Sequence, residues 1–496
     1  MPLVTNHKDS IDILLIDPPC RSLKGDSLEC CYSIGLVSVA TYLKRERIAT
    51  AVCVADLLLD PPFRGLDEFS VAKFLEGQKM YEQAINDGKH QVWAKIAEVI
   101  KSCKPLSVAI TYRTTMTDSA DKVALIAKTI DPKCFVIAGS HHATFCPEEV
   151  LTNHSIDFVV RGEGELPLTG LVNEITSGRK NWDSVQGISF RGKNGDVIHT
   201  KDAPLIDDLD SLPIPDRDLV LFSNINKYRI HYVSTARGCP YTCRFCSDKT
   251  LWRGKVRRRS AGSVVEELKQ LKKKYKIQYI YFSDGTFTYD KNYLDDFCHK
   301  LINEKIHLFW GCTARYDTID EDIIKLMKAA GCCTLYFGLE SGSPRILEAV
   351  DKNMSVETMI EKSEIAYRSG IVSMTAVLMG LPGESAEDIR QTLDVMHRLK
   401  TNLWDVNCYV PLPGTPMYNE MALEEKRAIS WATTSYKSYD NCFSKDISCE
   451  DLKRLLAEAC SISEASLLRY KRNKHLILLK LLAGYWWDRL WPKGVS

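Results

Sequence analysis

The chain has almost no net charge: 65 Lys and Arg stand against 64 Asp and Glu in 496 residues. Nothing global therefore calls for a nucleic-acid partner, and partners have to be argued locally. No apolar run reaches the roughly 18 to 20 residues that a membrane-spanning helix needs. Met1 to Ser10 is polar and lacks the basic and apolar regions of a secretory signal. No G-x-G-x-x-G follows the first strand-like segment, which disfavours a dinucleotide, and there is no helix-turn-helix. Together these absences predict a cytoplasmic protein. Its 18 cysteines are then expected in a reducing compartment, with metal use in place of a disulfide framework. Cys30-Cys31 and Cys332-Cys333 read as small buried side chains.

The length implies about two to four domains. In the first part, short apolar runs alternate with amphipathic segments. Strands are expected at Ile11–Ile16 (stopped by Asp17-Pro18-Pro19), near Thr50–Val54, at Ser107–Thr111, Cys134–Ala138 and Asp157–Val160. Helices are expected from Gly35, near Val92–Ser102 and near Ala120–Thr129. Such alternation predicts a doubly wound parallel sheet, which binds ligands at the carboxyl ends of its strands. Two strand exits there are rich in small residues, Ala138-Gly139-Ser140-His141-His142-Ala143-Thr144-Phe145 and Arg161-Gly162-Glu163-Gly164-Glu165. A hairpin-like piece around Lys193-Asn194-Gly195-Asp196 follows, then an acidic, proline-bearing stretch, Asp207–Asp218, that reads as a linker. The boundaries are a first domain at 1–205, a linker at 206–225, a second domain at 226–420 and a helical region at 421–496.

The second domain begins at Tyr232-Val233-Ser234-Thr235. Six strands are expected, each followed by a helix, and a partial (β/α)6 barrel is the economical closure, with chemistry at its carboxyl-terminal rim. A helix from Ser263 should carry an acidic first turn, Glu266-Glu267, and a lysine-rich end. Its first strand-to-helix connection is Arg237-Gly238-Cys239-Pro240-Tyr241-Thr242-Cys243-Arg244-Phe245-Cys246. Three thiolates at C-x3-C-x2-C suit iron or zinc and leave a tetrahedral corner one ligand short. A zinc knuckle or three unrelated buried cysteines are the alternatives; the next downstream His, His299, is far away.

This spacing resembles the cluster loop of the radical S-adenosyl-L-methionine (SAM) enzymes. The resemblance implies a [4Fe-4S] cluster on Cys239, Cys243 and Cys246, its fourth iron chelated by SAM. It further implies SAM contacts from Ser283, Asp284 and Gly285 after the second strand, from Glu340 to the ribose, and from Gly380, Pro382 and Gly383 along adenine. Phe245 would shield the cluster or simply pack in the core. Arg315 is placed to meet the methionine carboxylate or to pair with Glu340, and Glu384 to start the next helix.

The first 200 residues resemble the cobalamin-binding domain that precedes many radical SAM domains. Gly139, Ser140, His141, Gly162, Glu163 and Gly164 are then cobalamin contacts, with Tyr112, Arg113 and Thr114 below cobalt, Arg113 or Thr114 nearest. The Asp-x-His-x-x-Gly motif that supplies an axial His in the mutases is absent. The pairing resembles the cobalamin-dependent radical SAM enzymes, which implies reductive cleavage of SAM to a 5'-deoxyadenosyl radical and methylation of an unactivated carbon. A small-molecule or lipid-like substrate and an electron donor such as flavodoxin or ferredoxin are implied. A radical cyclase or rearrangement without methyl transfer, and a non-catalytic cobalamin or redox sensor, are the alternatives. At the C-terminus, Asp451–Ser466 is expected as an amphipathic helix lidding the barrel. Beyond it, Arg469, Lys471, Arg472, Lys474 and Lys480 interleave with Leu476–Leu479 and end in Tyr485-Trp486-Trp487 and Trp491. That composition suits peripheral membrane contact or a terminal helix docked on the protein.

Overall fold

The computed structural model describes residues 10–20, 33–59, 71–221, 231–431, 433–438 and 440–490, with only the backbone path for 71–76, 78 and 477–490. Cys30-Cys31 and the aromatic end of the chain fall outside the described side chains.

The first sheet is built from β1 (Ile13–Asp17), β2 (Thr50–Val54), β3 (Ser107–Thr111), β4 (Phe135–Gly139), β5 (Phe158–Val160), β6 (Ile188–Arg191) and β7 (Val197–His199). Their order is β2-β1-β3-β4-β5-β6-β7. The first five are parallel and the hairpin β6–β7 joins antiparallel at the edge. β1, β2 and β3 are buried along their whole length, which is why they read as unbroken apolar runs. Separate apolar cores cover the two faces, one around Trp93, Ile96 and Val123, the other around Val37, Leu43 and Leu171.

The second sheet contains β8 (His231–Val233), β11 (Tyr279–Phe282), β12 (Phe309–Ala314), β13 (Cys332–Glu340), β14 (Val372–Met379) and β15 (Leu403–Cys408), all parallel and in sequential order. Among the described residues β8 and β15 do not pair, so the barrel is partial. A small antiparallel pair, β9 (Ala236–Arg237) with β10 (Arg257–Arg258), brackets the cysteine loop. Leu335, Phe337 and Leu339 of β13 lie in the core shared with the outer helices. Period-two alternation then turns Tyr336, Gly338 and Glu340 to the inner side.

Four expectations are corrected. The 207–218 segment is docked, not a free linker: Asp210 Oδ1 accepts the Ser260 N–H (3.1 Å), Asp216 pairs with Lys44 (2.7 Å), and beyond the segment the Leu221 N–H donates to the Val52 carbonyl (2.8 Å). Just before it, Arg217 is buried against Glu267 (2.5 Å). The helix starts at Ala261, so Glu267 falls in its second turn and not its first; against the penalty of burial, Arg217 and Arg259 both hold it and keep its carboxyl below the usual range. The final helix runs from Cys449 to Leu490, and Leu452, Leu455, Leu456 and Ala459 join the barrel's outer core. It flanks β15, where Ser463 Oγ donates to the Trp404 carbonyl (2.8 Å), and so does not lid the mouth. Cys442 and Cys449 are joined as a disulfide just ahead of it, where reduced thiols were expected. No described helix is long and apolar enough to cross a membrane.

Candidate functional site

The carboxyl ends of the first sheet and the exits of β8 and β11 in the second face one cavity of about 470 Å³. Its first-domain wall is Leu15, Arg113, Gly139, Ser140, His141 and the 162–165 turn, with an apolar slot of Ile34, Val39, Ile137 and Leu168 behind it. Its second-domain wall is Ala236, Arg237, Gly238, Trp252 and Ser283–Gly285, so the cavity reaches from the first sheet to the cysteine loop.

Two glycines of this wall stand where a side chain would meet a close neighbour. Gly238 lies at φ +99°, where a Cβ would run into the Lys255 carbonyl. A Cβ on Gly285 would fall 2.6 Å from Asp248 Oδ2 and 3.4 Å from Cys239 Cβ, because the second-strand exit packs directly on the cysteine loop.

The three cysteines are half-buried, and burial pushes the Cys246 thiol up to about 12. Cys243 is raised as well, by burial, with Lys352 opposing. One ion bound by three thiolates would draw their sulfurs to about 3.8 Å apart, given Zn–S bonds near 2.3 Å. Among the described residues the only ligand group converging within 4.8 Å is a different one, His142, Cys146 and Glu149. The wider spread of Cys239, Cys243 and Cys246 suits a multi-iron cluster better than a zinc knuckle.

Several residues singled out in the sequence stand elsewhere or do other work. Asp284 Oδ1 accepts the Thr235 and Ala236 N–H groups (2.8 and 3.1 Å), so the carboxylate ties the second strand exit to the first and is not free for SAM. Arg315 is filled by Asp317 (3.0 and 2.8 Å) and the Lys352 carbonyl (2.9 Å), and it stacks 3.7 Å over Tyr241. It does not pair with Glu340. Lys352, a buried residue that the motif reading passed over, takes that place at 2.9 Å. Phe245 packs on an apolar cluster with Ile346, Leu378 and Leu381. Tyr112 and Thr114 do not line the cavity; Tyr112 Oη donates to Asp121 (2.8 Å) and Thr114 Oγ1 meets His142 Nδ1 (3.2 Å). Of that trio Arg113 alone faces the cavity, held by Asp17 (3.0 Å). The His141 ring is open to the cavity yet enclosed by its walls, and that desolvation, with Arg113 nearby, lowers its pKa.

Glu163 is also committed. It accepts from Arg237 (2.6 Å), Arg257 (2.9 Å) and the Ile206 N–H (2.7 Å), while Glu165 pairs with Arg237 at 2.5 Å. The acidic turn leaving β5 thus grips the residue two places before Cys239.

Glu384 does not start a helix; Ser385 caps it. Glu384 turns inward, Oε2 accepting the Gly380 and Leu381 N–H groups (2.6 and 3.2 Å), with Oε1 buried and unbonded. Burial raises this carboxyl from 4.5 to about 8. The native state therefore holds the proton between these values, and stability falls as pH rises through the window, by on the order of 5 kcal/mol at most. Glu384→Gln, a neutral isostere, is expected to flatten the urea midpoint between pH 5 and 8; a slope equal to the wild type's would remove Glu384 as its source.

The residues present fit the groups implied for this cavity. Three thiols on one loop with no nearby fourth ligand fit an iron–sulfur cluster with a substrate-ligated iron. An apolar slot with a glycine floor, a buried Arg113 Nε that makes no hydrogen bond, and the neighbouring Ser140 and His141 fit a large ligand bearing phosphate and carboxamide groups.

Comparison with known proteins agrees. Residues 233–396 match the Radical SAM superfamily and residues 23–172 the B12 binding domain. The chain is 33% identical over 371 residues to an uncharacterized methyltransferase of Pyrococcus horikoshii, covering 74% of this chain and 80% of that one. It is 30% identical over 337 residues to the anaerobic magnesium-protoporphyrin IX monomethyl ester cyclase of Rubrivivax gelatinosus, covering 66% and 60%. The fold resembles the radical SAM methyltransferase TsrM from Kitasatospora setae, solved with cobalamin and a [4Fe-4S] cluster: TM-score 0.65, 18% identity, 82% of this chain and 74% of that one.

Proposed function

The chain belongs to the cobalamin-dependent radical SAM enzymes, and from that premise we propose that it methylates an unactivated carbon of a small, polar substrate. The observation that carries this reading is the single cavity joining the strand ends of the B12-binding domain to the cysteine loop and the second-strand exit of the barrel. When bound, the cluster supplies the electron that cleaves SAM, and cobalamin supplies a transferable methyl group.

The chain's own residues position and enclose. Cys239, Cys243 and Cys246 would hold the cluster. The Ser283–Gly285 turn, and the Gly380–Gly383 turn pinned by Glu384, bring backbone groups to the rim for SAM. Glu340, at φ +65°, is held by Lys352, which leaves its Oε2 to accept a ribose hydroxyl. Gly139, Ser140, His141, Gly162, Gly164 and Arg113 would receive cobalamin.

The inner side of the barrel bears on substrate. Tyr281 Oη meets Thr313 Oγ1 (3.2 Å), Tyr336 Oη donates to Asp405 (2.6 Å), and Lys437 pairs with the other oxygen of Asp405. A lining of hydroxyls and one ion pair favours a substrate with hydroxyl or amine groups over a bare hydrocarbon tail. The likeness to a cyclase keeps a second reading in play, the same radical without methyl transfer.

The test is anaerobic reconstitution with iron, sulfide and hydroxocobalamin, then incubation with deuteromethyl SAM, a reductant and a small-molecule extract. S-adenosylhomocysteine appearing together with 5'-deoxyadenosine, and a deuterated methyl in one extract compound, is the expected result. 5'-Deoxyadenosine alone, with an unmethylated product, would transfer the chain to the cyclase reading. Failure to bind cobalamin would end the methyltransferase reading and leave the radical one.

A further inference from the structure

His141 opens to the cavity, but the next residue turns away from it into a group that the proposed chemistry leaves unused. Two short helices follow the exit of β4, His141–Phe145 and Pro147–Val150, and the chain bends between them at Cys146. The Cys146 N–H donates to the His142 carbonyl (2.8 Å) and the Val150 N–H to the Cys146 carbonyl (3.1 Å), and the bend brings His142, Cys146 and Glu149 together. Their ligand atoms lie within 4.8 Å of one another.

The imidazole is oriented for a ligand. His142 is 1% exposed. Thr114 Oγ1 lies 3.2 Å from Nδ1, which holds the ring in place as outer partners of metal-bound histidines do. Nε2 is buried without a hydrogen bond, and its nearest charged neighbour is Glu149 Oε1 at 3.4 Å. The other two donors are also steadied from outside. Trp431 Nε1 donates to Glu149 Oε1 (3.0 Å), and its ring stands edge-on to His142, centroids 5.5 Å apart. The Tyr418 hydroxyl lies beside the Cys146 thiol.

We propose that His142 Nε2, Cys146 Sγ and Glu149 bind one zinc ion, with water as the fourth ligand. One imidazole, one thiolate and one carboxylate form a mixed borderline donor set that suits tetrahedral zinc, whereas calcium and magnesium demand oxygen throughout. Bonds of about 2.0 to 2.3 Å require the donors to close to roughly 3.5 Å, a movement open to the exposed Glu149 side chain. The Cys146 thiol releases its proton to solvent as the ion binds. The site ties the exit of β4 to Tyr418 and Trp431, which follow the barrel, and so links the two domains at a point remote from the cysteine loop in sequence.

The test uses the full chain with its iron–sulfur cluster reconstituted, so that Cys239, Cys243 and Cys246 are occupied, loaded with zinc and desalted against a weak chelator. About one zinc per chain is expected, with a single sulfur in the zinc X-ray absorption first shell. Cys146→Ser and His142→Gln should each lose most of that zinc at unchanged iron content. Zinc retained equally in both variants, or a first shell of three sulfurs, would overturn the site. If a variant fails to fold, the wild type still decides: no saturable zinc uptake by the folded holoenzyme refutes the proposal. Iron content and 5'-deoxyadenosine formation report separately on the radical chemistry.

Discussion

Cys243→Ala is expected to reduce 5'-deoxyadenosine formation by at least about a thousandfold, to the background of the assay. The argument is one of ligand count. On the proposed assignment three thiolates would be the whole protein contribution to the cluster, and no described His or carboxylate converges with them to replace a lost one. Two thiolates cannot hold a cubane against loss of iron, and without it no electron reaches SAM. The fold should tolerate the change. Cys243 is half-buried, with its thiol raised by burial, so the metal-free chain loses only a small neutral group, worth roughly 1 kcal/mol. The measurements are iron and sulfide per chain, the electron paramagnetic resonance signal of the reduced protein, and 5'-deoxyadenosine by mass spectrometry. A variant that keeps four irons and cleaves SAM at the wild-type rate would dismiss the cluster assignment; one that loses zinc in place of iron would restore the knuckle.

The scaffold was largely legible because buried parallel strands are written as continuous apolar runs. Thr50–Val54 and Ser107–Thr111 lie where the pattern put them. The turn residues at their exits were legible too, since a side chain at Gly238 would meet the Lys255 carbonyl and one at Gly285 would meet Asp248. What those exits do with their charges was not, because each is decided by a partner distant in sequence. Asp284 is turned inward by backbone N–H groups 49 and 48 residues away, and Glu163 by an arginine 74 residues away. Local sequence offered each as a free carboxylate beside a ligand, and a free carboxylate in so dry a place would be costly. The helix Val71–Asn86 left no signal strong enough to predict, and β9 and β10 are two residues each, below any periodicity.

The buried ions also explain how two domains with separate cores share one cavity. Glu163 and Glu165 grip Arg237 and Arg257, and Glu267 grips Arg217 and Arg259. The first set lies between the acidic turn of the B12-binding domain and the β9–β10 pair that brackets the cysteines. The second locks the docked connecting segment to the barrel's first long helix. Paired charges of this kind add little net stability but are costly to break singly, and so they fix an orientation more firmly than an apolar seam that can slide.

Arg237→Met is therefore expected to uncouple the two halves of the reaction without destroying either. The side chain is 16% exposed, and the carboxylates it holds, Glu163 and Glu165, are 3% and 2% exposed. Glu163 keeps Arg257 and the Ile206 N–H, whereas Glu165 loses its only described ion-pair partner. An uncompensated buried carboxylate costs about 3 to 5 kcal/mol, enough to shift the acidic turn away from the cysteine loop. A displacement of about 1 Å between reacting groups costs on the order of a hundredfold in rate. Methylated product should fall by about that factor, while 5'-deoxyadenosine, made within the barrel alone, falls less than about tenfold at full iron content. Arg237→Met combined with Glu165→Gln removes the stranded charge, so it should recover stability but not methyl transfer, since the grip itself is still missing. If 5'-deoxyadenosine and product fall in parallel, or neither falls, Arg237 does not set the register between the domains. If the double variant restores methylation, burial of charge and not the grip is what the arginine serves.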